Sequence, residues 1–113
     1  MAPMPDGRGE ILPGTLDMLI LQTLTLGAMH GYAVAQHIGR LSEDVLRVEQ
    51  GSLYPALDRL QRQGWVKSEW RETPTKRRAR YYTLTASGKK QLGEELTRYD
   101  RVSGAIARVL RRV

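Results

Sequence analysis

The sequence contains no cysteine, which excludes disulfides, thiolate metal sites and cysteine nucleophiles. No run of apolar residues approaches the roughly 18 that a membrane span requires. The first residues show no cationic segment followed by an apolar one, so we expect no secretory signal. These absences fit a reducing cytoplasm, and we predict a cytoplasmic protein without a membrane partner.

Side chains suited to catalysis or metal binding are also scarce. The two histidines, His30 and His37, are seven residues apart and have no cluster of other metal-ligand residues around them. Neither Ser42 nor Ser52 has the oriented histidine and acid that a nucleophile needs. We therefore predict no enzymatic activity, no metal and no cofactor.

Positive charge is what the chain has in excess. Its 113 residues include 18 Lys and Arg against 12 Asp and Glu, a formal net charge of +6. Such a balance favours a polyanionic partner, either nucleic acid or an anionic membrane surface. Residues 76–80 contain four cations and no acid, and like charges this close repel unless an anion lies nearby. The cluster consists of Lys76, Arg77, Arg78 and Arg80.

Hydrophobic periodicity predicts two helices in the first part of the chain. The first begins at Pro13-Gly14-Thr15 and ends near residue 27, and the second follows His30-Gly31, with Leu41 on its buried side. Leu46 and Val48 then alternate with charged residues, which indicates a very short strand.

A third helix is predicted between Ser52 and Gly64. Ser52 would cap the first turn, and Pro55 would lie in that turn, where its missing N–H removes no helical hydrogen bond. Gly64 would end the helix in the left-handed conformation. One face is apolar, and the other carries cations, hydroxyls and an aromatic ring, which suits either solvent or a binding partner.

After Gly64 the pattern changes to that of a β-hairpin. Residues 65–72 and 80–84 read as two strands joined by a turn at residues 73–75, and the cation cluster lies in this loop. We expect Trp65 and Trp70 to seal the sheet against the core, the alternative being that a partly exposed Trp stacks on a ligand. Three helices and a basic-tipped hairpin predict a winged helix-turn-helix, mainly α with a small β-hairpin wing (α+β). A helix fits the major groove of DNA, and a cationic loop beside it can reach the backbone.

The last segment predicts one long helix, capped by Thr85 and reaching Leu110. At about 38 Å this helix is longer than a domain of this size would be expected to cover. We therefore expect part of it to contact a partner. The alternative is that its apolar stripe packs on the chain's own core. Its stripe is spaced like the a and d positions of a coiled coil: Leu92, Leu96, Tyr99, Ser103, Ile106 and Leu110. The resulting division is a flexible arm (1–12), a DNA-binding domain (13–84) and a dimerisation helix (85–113).

Several short motifs give the chain a family resemblance over about residues 12–110. It is similar to the short-tailed PadR-like transcriptional regulators, which implies a homodimeric repressor on a palindromic operator. The motifs are Leu12-Pro13-Gly14-Thr15-Leu16, His30-Gly31-Tyr32, Gly51-Ser52-Leu53-Tyr54-Pro55-Ala56-Leu57, Arg59-Leu60, Gly64-Trp65-Val66, Arg77-Arg78-Ala79-Arg80-Tyr81-Tyr82 and Leu84-Thr85-Ala86-Ser87-Gly88.

The resemblance also implies roles for particular residues. Ser52, Tyr54, Pro55 and Arg59 would face the major groove, with Arg59 reaching a guanine edge or a phosphate. Tyr99 would line a hydrophobic site for a small aromatic effector at the dimer interface, the alternative being plain packing. A winged-helix module that binds proteins and not DNA is the competing function, and it would not need the cations of residues 76–80.

Overall fold

The computed structural model describes residues 14–111, and this part of the chain contains four helices and three strands. Residues 1–13 and 112–113, including the predicted N-terminal arm, lie outside the described residues. The elements are, in chain order, α1 (Leu16–Leu24), β1 (Met29–His30), α2 (Gly31–Leu41), α3 (Gln50–Arg62), β2 (Val66–Glu72), β3 (Arg78–Leu84) and α4 (Ala86–Leu110).

The strands form one antiparallel sheet in the order β1-β3-β2. The hairpin of β2 and β3, which we call the wing, pairs Val66 with Leu84 at its base and Glu72 with Arg78 at its tip. β1 pairs with the other edge of β3. The predicted winged-helix α+β fold is therefore confirmed, with one strand that the sequence pattern did not indicate.

The strand predicted around Leu46 and Val48 is wrong. Glu43 and Asp44 both have left-handed backbones, with φ of 52° and 64°, so the chain turns here and does not extend. The Ser42 hydroxyl holds this turn by accepting a hydrogen bond from the Leu46 N–H at 3.0 Å. Leu46 and Val48 instead pack as partly buried residues against the core.

The core lies between the helices and the base of the wing. Its largest fully buried members are Ile20, Leu21, Val34, Leu53, Leu57, Leu60 and Val66. Two residues that were predicted to lie in the core are exposed. Leu41 is 71% exposed because it is the last residue of α2, next to the exposed residues 43–45. Trp70 is 55% exposed because only the first residue of β2 is buried and the rest of the strand extends past the core.

The predicted start of α3 is also wrong. The helix begins at Gln50 with Glu49 as its N-cap, so Ser52 is its third residue and Pro55 its sixth. Pro55 therefore lies in the second turn and leaves the Gly51 carbonyl without the usual helical partner. Gly51 is exposed, so water can supply that hydrogen bond.

The predicted end of α3 is confirmed. Gly64 has a φ of +80°, and its N–H donates to the carbonyl of Gln61 at 2.9 Å. The next N–H, of Trp65, donates to the carbonyl of Leu60 at 3.0 Å. This pair of bonds is the Schellman arrangement, which needs a left-handed residue and so favours glycine. It sets the direction in which the wing leaves α3.

The predicted long helix α4 is also confirmed, with Thr85 as its N-cap. The Thr85 hydroxyl accepts from the Gly88 N–H at 2.9 Å and donates to the carbonyl of Gly64 at 2.7 Å, which fixes α4 to the end of α3. Only Gly88 and Leu92 of this helix are buried.

No helix within residues 14–111 is long and apolar enough to cross a membrane.

Candidate nucleic-acid interface

A groove of about 960 Å³ runs between α3 and the wing, with the start of α2 as its floor. Its walls combine exposed aromatic rings with cations, which is the composition of surfaces that bind nucleic acid. The aromatic and arginine side chains that line it include Tyr32, Tyr54, Trp70, Arg77, Arg78 and Arg80.

The residues predicted to contact DNA on α3 are all exposed, but they do not share one face. Tyr54 lies in the groove. Arg59 is five residues later, a rotation of about 140° around the helix, so it lies on the opposite flank. By the same geometry Ser52 lies on the Arg59 flank and Pro55 on the outermost line between the two flanks. The structure thus places one of the four, Tyr54, beside the wing.

Tyr54 is seated directly on the backbone of Gly31, the first residue of α2. A Cβ added at Gly31 would lie 2.8 Å from Cε1 of the Tyr54 ring, so only glycine leaves the ring where it is. His30 is the N-cap of the same helix, because its Nδ1 accepts a hydrogen bond from the Ala33 N–H at 3.1 Å. The motif His30-Gly31-Tyr32 therefore has a structural role at the floor of the groove.

The four cations of residues 76–80 are exposed, and within residues 14–111 none of them forms an ion pair with an acid. Arg78 and Arg80 instead place their guanidinium carbons 5.8 and 5.3 Å from the centre of the Trp70 ring. The sequence favoured core packing for Trp70, with stacking of a partly exposed Trp on a ligand as the alternative. Its place beside the cations follows from the register of the hairpin, in which Trp70 lies opposite Arg80.

Arg59 has an acidic partner within the chain. It donates to Asp17 of α1 from Nη2 to Oδ1 at 2.5 Å and from Nε to Oδ2 at 3.3 Å. This hydrogen-bonded pairing raises the pKa of Arg59 above its ordinary value. The Arg59 side chain is 48% exposed and that of Asp17 24%. Arg59 therefore connects two helices, and any contact with DNA would have to compete with Asp17.

A second candidate surface is the outer part of α4. Of the residues predicted at a dimer interface, Leu92 is only 6% exposed and packs in the chain's own core, so it has little surface left for a partner. Leu96, Tyr99, Ile106 and Leu110 are 37%, 46%, 53% and 57% exposed, and Ser103 is half-buried. Val102 and Val109 add apolar surface that the predicted stripe did not include.

Comparison with known proteins identifies the family. The profile of the Transcriptional regulator PadR-like family matches residues 20–94, from α1 into the first turns of α4. The chain belongs to this family. PadR-like proteins are DNA-binding transcriptional regulators and not enzymes, which confirms both predictions at that level. The described residues also contain no group of three His, Asp or Glu side chains that could hold a metal ion.

Solved structures of similar proteins share the fold along most of the chain. A transcriptional regulator from Clostridium thermocellum is 27% identical with a TM-score of 0.78, covering 84% of this chain and 92% of its own. A PadR family transcription regulator from hypervirulent Clostridium difficile is 28% identical with a TM-score of 0.74, covering 86% and 99%. A PadR family transcriptional regulator from Eggerthella lenta is 31% identical with a TM-score of 0.73, covering 86% and 82%.

Proposed function

We propose that this PadR-like regulator is a homodimeric repressor that binds a palindromic operator in the cytoplasm. The observation that carries the proposal is the groove that Tyr54 of α3 lines together with Arg77, Arg78 and Arg80, which have no acidic partner within residues 14–111. Unpaired cations that lie side by side repel one another, and a phosphate backbone removes that repulsion while releasing counterions.

In this proposal α3 enters the major groove and the wing follows the neighbouring backbone. The outermost line of α3, around Pro55, is exposed, so it is available to approach base edges. Arg77, Arg78 and Arg80 line the groove beside the helix, and Lys76 lies at the wing tip. The wing would supply affinity through phosphate groups, and α3 would supply the choice of sequence.

The proposed dimer forms through the outer part of α4. The exposed apolar residues between Leu96 and Leu110 form a surface that water solvates poorly, and a second copy of the helix has the same spacing. Two reading helices on a palindrome must lie about 34 Å apart, one turn of DNA. A long paired α4 is rigid enough to hold that distance.

Tyr99 and Ser103 support the proposal of an effector site within this interface. The Tyr99 ring is 46% exposed and Ser103, one turn later, is small, so in the proposed dimer a flat apolar molecule would fit beside the ring. The alternative is that Tyr99 simply packs against the partner helix. Titration with planar aromatic compounds separates the two, because only an effector site makes both fluorescence and DNA affinity change, and both changes should vanish in Tyr99→Ala.

A gel shift with DNA from upstream of the protein's own gene, repeated over a range of salt concentrations, tests the proposed function. A regulator of this kind binds that DNA more tightly than a scrambled duplex, and its affinity falls steeply as salt rises. A winged-helix module that binds only proteins shows neither behaviour. Footprinting of the shifted complex then gives the symmetry and spacing of the operator.

A further inference from the structure

Trp70 holds two of the wing cations in fixed positions on one face of the hairpin. It pairs with Arg80 across the two strands, and Arg78 lies two residues away on the same face of β3. Both guanidinium carbons lie within 6 Å of the indole centre, as cation–π contacts require. The indole is 55% exposed and lies past the core, so packing against the core does not explain a large aromatic residue here.

The arginines on the two faces of the wing have different partners. On the opposite face Arg71 lies over the ring of Tyr81 at 5.2 Å and also forms an ion pair with Glu69, so its charge is neutralised. On the Trp70 face, Glu72 pairs with Arg78 across the strands, yet no ion pair joins them. The face that lines the groove therefore carries two cations ordered by a ring, and the other face carries a cation satisfied by an acid.

We propose that Trp70 is a positioning residue for DNA binding, which orders Arg78 and Arg80 so that both guanidiniums meet neighbouring phosphate groups of one strand. The inference rests on the proposed function, because it assigns a role within the same interface. A free arginine side chain loses much rotamer freedom when it binds, and an arginine already held against a ring loses less. The planar guanidinium suits this arrangement, since it stacks on the indole while its edge keeps donors for phosphate oxygens.

A double-mutant cycle tests whether Trp70 acts through the arginines. The proteins are the wild type, Trp70→Leu, Arg78→Ala with Arg80→Ala, and the variant that combines all three changes. Each is titrated against a fluorescein-labelled DNA duplex of random sequence at one fixed salt concentration. We expect Trp70→Leu to weaken binding about fivefold in the wild-type background and less than about twofold when both arginines are absent. Trp70→Tyr, which restores a ring face, should bind within about twofold of the wild type.

The outcomes separate this inference from the proposed function. If Trp70→Leu weakens binding by the same factor in both backgrounds, or if Trp70→Tyr is as weak as Trp70→Leu, the residue does not act through the arginines and the inference is wrong. If the double arginine variant binds DNA as well as the wild type, Arg78 and Arg80 do not contact DNA, so the inference is wrong and the proposed interface loses these two residues. If the arginines matter and Trp70→Leu binds normally, only the inference fails. Equal thermal unfolding midpoints of Trp70→Leu and the wild type exclude a folding defect.

Discussion

The guanidinium of Arg59 is held by the carboxylate of Asp17, 42 residues earlier in the chain, so this pair fastens α3 to α1. Arg59 was predicted from the sequence to face the major groove, and the structure gives it an internal partner. A half-exposed pair of this kind contributes at most about 1 kcal/mol to stability. The buried residues of α3 set the rotation of the helix, and the pair holds the Arg59 side chain on the flank away from the groove.

The first prediction follows from that pair. We expect Arg59→Ala and Asp17→Ala each to lower the free energy of unfolding by up to about 1 kcal/mol, and the double variant to be no less stable than either single one. Urea unfolding measures these values. Arg59→Ala should also weaken binding to the preferred operator and to random DNA by similar factors. If the binding free energy instead falls by about 1–3 kcal/mol on the operator and not on random DNA, Arg59 reads a base.

The second prediction concerns the seat of the Tyr54 ring. Gly31→Ala should push the ring away from the floor of the groove and weaken DNA binding. The free energy of unfolding should change by less than about 1 kcal/mol, because the clash is with the outer end of a flexible side chain. Fluorescence anisotropy with labelled DNA measures the change in affinity. In a Tyr54→Ala background the same glycine substitution should have no further effect, and a further weakening there would rule out this explanation.

The third prediction compares two glycines of α4. A Cβ at Gly88 would lie 2.0 Å from the backbone oxygen of Trp65, so Gly88→Ala should destabilise the fold by about 3 kcal/mol. Gly93 has nothing within 4 Å of its added Cβ, so Gly93→Ala should stabilise the helix by about 0.5–1 kcal/mol. Thermal unfolding of the two variants gives both values. Equal effects of the two substitutions would mean that α4 does not dock at Gly88 as described.

The fourth prediction concerns the proposed dimer. Leu96→Glu would bury a charge in the helix pair and should give monomers in sedimentation velocity, with DNA affinity strongly reduced. Leu41→Glu is the matched control, because Leu41 is an exposed leucine on α2 and its replacement should leave the oligomeric state unchanged. A monomeric wild type at the concentrations of the DNA-binding experiment would contradict the dimer proposal.

The parts of the fold that depend on local signals were predictable from the sequence. Thr85 can cap α4 and Gly64 can end α3 whatever the rest of the chain does, since each acts on its nearest turn. The start of α3 was missed because Gln50 and Gly51 precede the first apolar residue, so periodicity gives no sign that the helix includes them. Leu41 fits the apolar stripe of α2, but burial also needs a neighbouring element to cover it, and that information is tertiary.

The exposure of residues in the candidate site was predictable where it depends only on their position along the chain. Lys76 and Arg77 lie at the hairpin tip, where exposure was expected, whereas Arg78 and Arg80 were predicted in the loop but belong to β3, which begins at Arg78. Arg59 was different, because its partner Asp17 comes from another helix and no spacing rule connects them. Trp70 was predicted to be buried because alternation places it on the face of Val66, although the sheet extends past the core before reaching it.

Binding of the wing to the DNA backbone is central to the proposed function, and the salt dependence of DNA affinity tests it most directly. The variant Lys76→Ala, Arg77→Ala, Arg78→Ala is compared with Lys90→Ala, Arg98→Ala, Arg101→Ala, which removes the same charge from exposed positions of α4. The slope of log affinity against log salt concentration is measured for both variants and for the wild type. We expect the slope of the wing variant to fall by about 0.9 for each phosphate that the wing no longer neutralises, and that of the α4 variant to stay unchanged. A wild-type slope in the wing variant, or equal changes in the two variants, would contradict this role of the wing.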